Sequence, residues 1–314
     1  MAKSDVVMVL GAPASGKSSL SEGFIQRGYE HLNRDKAGGS VAALAPQLDS
    51  FISAGKNVVL DNLFATAESR KPFLDVCKKQ GVRITCSWMK TSIEDSIINA
   101  LHRMWKRHGK IFFDPESLKG VKDPNMFPIC VFFKYKKEFE PPKTDEGFAS
   151  ITSQAFTRIY DPAKTVKAVI VDYDGTLREV NGGEYKYPVK PSEVKLMRGR
   201  KEKLQEMKKK GYIILGASNQ SGIAKKHLTS QDATDCFQKT NDLLGIDIPF
   251  VSCPHSVPPS CYCRKPQSGM GVYMIEKYNL DPRQCLFIGD QTTDKTFAER
   301  LGMTYHDQAE FFGG

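Results

Sequence analysis

Short apolar runs punctuate the chain at residues 6–10, 58–60, 84–89, 169–171, 213–215, 250–252 and 286–288, and amphipathic stretches of helical length lie between them. Runs this short, bounded by turn residues, predict buried strands, and their alternation with helices predicts mostly parallel sheets of the α/β class. Helices are expected over 66–80, 92–107, 193–210, 229–244 and 269–278, with a further one following residue 18. The pattern occurs twice, and Pro162 in TRIYDPAKTVK (157–167) interrupts it just before a new strand starts near Ala168. Two α/β domains follow from this, residues 1–160 and 165–314. Length agrees, because single hydrophobic cores rarely grow past ~250 residues. Residues 114–144 hold five prolines and the basic, aromatic run FFKYKKEF (132–139), but residues 114–128 show no periodic pattern.

A formal net charge of +9 changes the picture only modestly. It would concentrate polyanionic partners, nucleic acid among them, without selecting a sequence or a chemistry. No apolar stretch approaches the ~20 residues that span a bilayer, and the N-terminus lacks the order of a secretory signal, so a soluble intracellular protein, cytoplasmic or nuclear and without a membrane partner, is expected. Eight cysteines in a reducing compartment argue against a disulfide framework. Cys77, Cys86, Cys130, Cys236 and Cys285 read as ordinary buried thiols.

The first strand leads into GAPASGKS (11–18), a complete G-x-x-x-x-G-K-[ST] pattern in a strand-to-helix context. Gly11 and Gly16 let the backbone turn so that N–H groups converge on phosphate oxygens, and the following helix N-terminus adds positive potential. Lys17 should reach the β and γ phosphates of ATP, and Ser18 should hold Mg²⁺, with Ser15 and Ser19 completing the nucleotide site. Asp35 closes the next strand-like run (29–32), where a carboxylate could take the proton of an attacking hydroxyl; taken alone it fits a turn or helix cap at least as well. Asp61 and Asn62 end the apolar strand at 57–60 and could bind substrate or a metal-bound water. Arg103 and Arg107 stand one helical turn apart, which suits either charge stabilisation on a transferring phosphoryl group or a solvated basic helix end.

The second half opens with VIVDYDGTL (169–177). Two aspartates spaced by one residue at a strand end can share a site, Asp172 attacking phosphorus and Asp174 serving as acid and then base. Mg²⁺ would let the two anions approach one another. Further on, Cys253, His255, Cys261 and Cys263 (CPHSVPPSCYC) form a C-x-H…C-x-C set suited to a closed, structural Zn²⁺ site, and Cys263 lies two residues before Lys265.

The order GAPASGKSS, HLNRDKAGG, VVLDNLFATAESR and a helix ending in HRMWKR resembles the kinase domain of polynucleotide 5′-kinase/3′-phosphatases over roughly residues 5–155, and the stretch 132–151 resembles the end of that module in the animal members. The resemblance implies that Asp35 is the base for a 5′-hydroxyl with Arg34 beside it, that Asp61 and Arg70 lie in the acceptor site, and that Arg103 and Arg107 belong to a lid over ATP. Where that family usually has Thr-Asn after the Asp-Asn pair, this chain has Leu63-Phe64.

The second half resembles haloacid-dehalogenase-type phosphatases, which implies a Rossmann-like domain. In that family's pattern Ser218 and Asn219 bind phosphate oxygens, with Thr176 also at the substrate, and Lys265 neutralises the phosphoryl group. Asp290 completes the Mg²⁺ site with Asp172 and Asp174, and Asp294 supports it from behind. Only about fifteen residues separate Thr176 from Pro191, too few for a large cap domain. The Cys/His loop resembles that of heptose-bisphosphate and histidinol-phosphate phosphatases, whereas RKPQSGM resembles the animal polynucleotide phosphatases. Together these resemblances imply a bifunctional enzyme of DNA or RNA repair that phosphorylates 5′-hydroxyl ends and removes 3′-phosphates, with nucleic-acid ends and a ligase as partners. The alternative is a kinase/phosphatase of nucleosides or sugars in salvage metabolism.

Overall fold

The computed structural model describes residues 4–38, 40–258 and 261–313, apart from the side chains of Lys36 and Ala37. The chain falls into two compact units, Met1–Ala100 with Lys122–Arg158, and Leu101–Val121 with Ile159–Gly314.

The elements of the first half run β1 (Val6–Gly11), α1 (Lys17–Ile25), β2 (Glu30–Leu32), α2 (Arg34–Ala37), α3 (Ala45–Ser53), β3 (Val58–Asp61), α4 (Ala67–Gln80), β4 (Ile84–Met89), α5 (Ile93–His108), α6 (Cys130–Glu138) and β5 (Ser150–Gln154). The strands form one all-parallel sheet in the order β2-β3-β1-β4-β5. In β1, side chains alternate between faces: Val6, Met8 and Leu10 pack with Leu48 and Ile52 of α3 and Phe73 of α4, while Val7 and Val9 pack with Leu20 and Phe24 of α1. Helix α4 starts at a Thr66/Ser69 capping box and stops at Gly81 with φ +63°, the usual device at a helix C-terminus. Because every strand is parallel, the C-terminal ends of β1, β2 and β3 share one edge of the sheet, where ligands of open α/β folds bind.

The second half continues β6 (Ala168–Val171), β7 (Arg178–Val180), β8 (Val194–Leu196), α7 (Arg200–Lys209), β9 (Ile213–Asn219), α8 (Ser221–Ala224), α9 (Ser230–Leu244), β10 (Phe250–Cys253), α10 (Gly269–Lys277), β11 (Leu286–Gly289), α11 (Thr292–Leu301), β12 (Thr304–Asp307) and α12 (Gln308–Phe312). Its parallel sheet has the order β10-β9-β6-β11-β12, and β7 pairs with β8 as a separate antiparallel ribbon. Val169 and Val171 of β6 share a core with Leu204 and Met207 of α7 and Phe237 and Leu244 of α9.

Both halves are α/β with parallel sheets, as the alternation of apolar runs predicts. The helix expected over 193–210 begins only at Arg200, because Val194–Leu196 pairs with Arg178–Val180 and Gly199 turns the chain at φ +79°. Cys130 is exposed at the start of α6 rather than buried, while the other seven cysteines are buried. Among the described residues no helix is long and apolar enough to cross a membrane.

Candidate active sites and a candidate zinc loop

The 11–18 loop leaves β1 through Gly11, whose φ is +154°; a Cβ there would come within 2.8 Å of Ser15 Oγ and 3.0 Å of Met89 O. Gly16, at φ +97°, opens α1. Two side chains clamp the loop from behind: Thr91 Oγ1 donates to Ser15 O (2.8 Å) and Asn99 Nδ2 donates to Ala14 O (3.1 Å). With the Ser15 carbonyl tied this way, the N–H of the same peptide, that of Gly16, points in the opposite direction, as trans geometry requires. Lys17 Nζ donates to Ala12 O (2.7 Å) and Gly11 O (3.1 Å), so its ammonium stays over the loop. Ser18 and Ser19 are exposed at the start of α1, whereas Ser15 is buried. Residues Gly11, Ser15, Gly16, Lys17, Ser18 and Ser19 thus form one loop at a helix N-terminus, with glycines at the two positive-φ positions that a phosphate-cradling backbone needs.

On the same sheet edge, Asn33 caps α2 and donates through Nδ2 to Asp61 O (2.6 Å), while Asn62 Oδ1 accepts from Arg34 N (3.2 Å). These bonds bring Arg34, Asp35, Asp61 and Asn62 together, with Arg34 Nη2 3.1 Å from Asp35 Oδ1. His31 lies beside them, its Nε2 3.6 Å from Asp61 Oδ2, a neighbour that the motif pattern gives no reason to expect. Asp61 Oδ2 and Asn62 Nδ2 are buried without a hydrogen-bond partner, the kind of unmet demand found where a ligand docks. Arg70, expected in this acceptor site, has its guanidinium committed to protein partners. It is fully buried and donates to Glu146 Oε2 (2.7 Å) and Oε1 (2.8 Å), Phe64 O (3.0 Å) and Glu140 O (3.0 Å), which leaves it a structural strut. Arg103 and Arg107 lie on the part of α5 that groups with the second unit.

In the second unit, Asp172 follows β6 and Lys265 Nζ sits 3.2 Å from its Oδ1 and 2.7 Å from Asp294 Oδ1. The backbone of Lys265 is locked to Asn219 by a reciprocal pair, Nδ2 to Lys265 O (3.1 Å) and Lys265 N to Oδ1 (3.0 Å). Asp172, Asp290 and Asp294 converge, one carboxylate oxygen of each lying within 4.8 Å of the others. An all-oxygen anionic set of this kind fits Mg²⁺. Asp294, expected to support the metal from behind, is a member of the cluster itself. Asp174 is not, because its carboxylate is drawn away by Arg178 Nε (2.8 Å) and Gln220 Nε2 (2.7 Å). Gln220 also reaches Ser218 Oγ at 3.1 Å. Thr176 is fully buried; its carbonyl accepts from Arg200 Nε and its Oγ1 has no hydrogen-bond partner. Gly175 turns the chain at φ +79°, which favours glycine, and a Cβ there would come within 2.6 Å of Asp290 Oδ2.

Burial pushes the Asp172 carboxyl up to about 6, against the pull of Lys265, with Asp294 and Asp174 adding to the rise. Asp290 rises as well, mainly through burial and then through Asp294. Burial would lower Lys265, but Asp172 and Asp294 together hold it above the usual lysine range. Protons and a divalent cation therefore compete for this cluster. Below pH about 6 the apparent affinity for Mg²⁺ should fall by about tenfold per pH unit, and raising Mg²⁺ should move the acid limb of phosphatase activity to lower pH. An acid limb that stays fixed over a hundredfold range of Mg²⁺ would rule this out.

The cleft over Asp172 encloses about 400 Å³ and is walled on its outer side by Lys186, Tyr187 and Arg264. Tyr187 donates to or accepts from His227 Nδ1 at 2.7 Å with the two rings near coplanar, and Tyr185 stacks over His227 at 4.2 Å. The motifs gave no sign of this aromatic group, because Tyr185 and His227 are brought together only by the turn between β7 and β8 and the loop after α8.

The four expected zinc ligands also converge. Cys253 Sγ lies 3.4 Å from His255 Nδ1 and 3.7 Å from Cys261 Sγ, and His255 Nδ1 lies 3.3 Å from Cys263 Sγ. Tetrahedral bonds of ~2.3 Å to sulfur place two sulfurs about 3.8 Å apart, so the spacing fits Zn²⁺ with no position left for water.

Residues 167–312 match the family model described as polynucleotide kinase 3 phosphatase, and residues 6–107 match an AAA domain model. The chain is 31% identical over 148 residues to a D-glycero-beta-D-manno-heptose-1,7-bisphosphate 7-phosphatase of Haemophilus ducreyi, a span of 44% of this chain and 79% of that protein. It is 27% identical over 159 residues to the bifunctional polynucleotide phosphatase/kinase of Schizosaccharomyces pombe, 50% of this chain but only 35% of that one. A chain in the solved structure of the Pnkp1/Rnl/Hen1 RNA repair complex is similar over 98% of this chain and 96% of its own length, at 15% identity and a TM-score of 0.33. The two parallel sheets, the phosphate cradle and the aspartate cluster define an enzyme that joins a P-loop kinase module to a haloacid-dehalogenase-type phosphatase. Through residues 167–312 the chain belongs with the polynucleotide kinase 3 phosphatases, and through residues 6–107 with the AAA-type domains. Its phosphatase half also belongs to the wider group that holds the heptose-bisphosphate phosphatases.

Proposed function

We propose that this protein heals nucleic-acid ends: one unit transfers a phosphoryl group from ATP to a 5′-hydroxyl, and the other removes a 3′-phosphate, leaving termini suited to a ligase inside the cell. The observation that carries the reading is the presence of both sites on one chain, with a phosphatase cleft lined by Lys186, Tyr187 and Arg264, Tyr187 in turn bonding His227, over which Tyr185 stacks. Cations beside stacked aromatic rings suit a phosphodiester strand and its bases, and need no particular sequence.

In the kinase unit the loop amides and Lys17 bind the phosphates of ATP, Asp35 takes the proton of the 5′-hydroxyl, and Arg34, Asp61 and Asn62 orient the acceptor. Ser18 would carry Mg²⁺, which neutralises phosphate charge when bound. In the phosphatase unit Asp172 attacks phosphorus to give an aspartyl-phosphate. Asp174, held in place by Arg178 and Gln220, protonates the leaving 3′-oxygen and then takes a proton from the hydrolytic water. Ser218 Oγ, the Asn219 backbone N–H and Lys265 Nζ bind the phosphoryl oxygens, while the Asn219 side chain holds the Lys265 backbone. Asp172, Asp290 and Asp294 would hold Mg²⁺, whose charge lets the two anions meet. Zn²⁺ would pin the loop that presents Lys265.

The identity to heptose-bisphosphate phosphatases favours a second reading, in which the substrate is a small phosphorylated sugar. Label from γ-labelled ATP should enter a 5′-hydroxyl oligonucleotide, and the same protein should release phosphate from a 3′-phosphorylated oligonucleotide. Turnover of sugar phosphates or nucleosides alone, with both oligonucleotides inert in the presence of Mg²⁺, would hand the case to the small-molecule reading.

A further inference from the structure

We infer that Asp114, which lies outside the zinc-ligand motif, is a positioning residue of the zinc loop: its carboxylate fixes the His255 imidazole in the tautomer and orientation that metal binding requires. The inference rests on the assignment of Cys253, His255, Cys261 and Cys263 as Zn²⁺ ligands.

His255 presents Nδ1 to the cysteine sulfurs, and its other ring nitrogen, Nε2, lies 3.3 Å from Asp114 Oδ2. A ligating Nδ1 cannot carry a proton, so the proton of the neutral ring sits on Nε2 and needs an acceptor. Asp114 supplies one. Its own orientation is set independently, because Oδ1 accepts from Ser117 N (2.7 Å) and Ser117 Oγ donates back to Asp114 O (2.7 Å). One oxygen is committed to the local turn and the other is left to face the imidazole.

The preceding residue makes a second tie to the same loop. Phe113 O accepts from the N–H of Tyr262, the buried residue between the ligands Cys261 and Cys263. Phe113 and Asp114 thus hold the loop at its histidine and at its C-x-C end. Segment Leu101–Val121 groups with the phosphatase unit by its packing, although in sequence it directly follows the kinase-type elements. The zinc loop in turn runs into Lys265, so the brace acts on the catalytic lysine through Cys263 and Arg264; Arg264 Nη1 itself donates to His255 O (2.9 Å).

The test measures zinc directly on the full-length protein. Outer-sphere carboxylates of this kind are worth about 10–100-fold in metal affinity. Asp114→Ala should therefore release zinc to a chromogenic chelator about 10–100-fold more readily than the unaltered protein. Asp114→Asn, which keeps an acceptor oxygen, should recover part of that loss, and Ser117→Ala, which loosens the turn but leaves Oδ2 in place, should change zinc retention less than threefold. In Co²⁺-substituted protein the thiolate-to-metal absorption should persist in Asp114→Ala while the ligand-field bands shift. Equal zinc retention in Asp114→Ala, Asp114→Asn and the unaltered protein would overturn the inference. Unaltered protein that carries no zinc when purified without chelator, and takes none up, would instead overturn the ligand assignment on which it stands. Should Asp114→Ala not fold, the Asn and Ser117→Ala variants decide between the same outcomes.

Discussion

Asp172→Asn is expected to lower 3′-phosphate release by at least about 10⁴-fold, on the order of 5 kcal/mol of barrier, while 5′-phosphoryl transfer stays within twofold. The amide cannot act as the nucleophile, and it also removes one of the three anions in the cluster that would hold Mg²⁺. Folding should survive, because Asn is isosteric and the Tyr173 N–H now bonded to Asp172 Oδ1 can still be accepted by the amide oxygen. Relieving the like-charge crowding with Asp294 and Asp174 works in the same direction. The reciprocal change, Asp35→Asn, should depress kinase activity about 10²–10⁴-fold, the span usual for loss of a general base, and leave the phosphatase untouched. Assaying both activities on each variant gives four numbers, and a collapse of both activities in either variant would refute independent sites.

These two aspartates were legible because the chemistry that needs them is local in sequence. A phosphate loop must follow a strand and open a helix within eight residues, and a nucleophile and its acid partner can share a strand end only at a spacing of two. The buried strands were legible for a related reason, since β1, β3 and β6 are buried along their whole length and cannot be mistaken for surface segments. Edge strands are different. Ser150–Gln154 is mostly exposed and borders a single neighbour, so nothing in its composition separates it from a loop.

Side chains that act at a distance were equally hidden. Arg178 lies directly after the DYDGTL run, yet its role depends on Thr240 and Phe237 of α9, which receive its Nη1 and its guanidinium face. Thr91 and Asn99 steady the phosphate loop from α5 and its lead-in, and no spacing rule connects them to it. The partners of Arg70 were hidden for the opposite reason. Family resemblance put a cation after the β3 carboxylate and gave it a substrate, but the partner that claims it, Glu146, is set by the fold.

That arginine yields the second large effect. Both members of the Arg70–Glu146 pair are largely removed from water, with side-chain exposures of 0% and 12%, and the guanidinium also satisfies two backbone carbonyls that would otherwise be left unpaired. Arg70→Met should destabilise the kinase unit by about 3–5 kcal/mol, because it strands a buried carboxylate and two acceptors at once. Most of that loss should come from the orphaned charge. Adding Glu146→Leu to Arg70→Met should therefore recover part of it, giving a favourable coupling in a double-mutant cycle followed by urea unfolding. An acceptor-site arginine predicts something else: little change in the unfolding midpoint and a KM for the 5′-hydroxyl oligonucleotide raised tenfold or more. A variant that unfolds like the unaltered protein but binds its acceptor poorly would return Arg70 to the substrate. A fall in the midpoint with an unaltered KM in the folded protein would establish it as the tie between α4 and the turn that leads into β5.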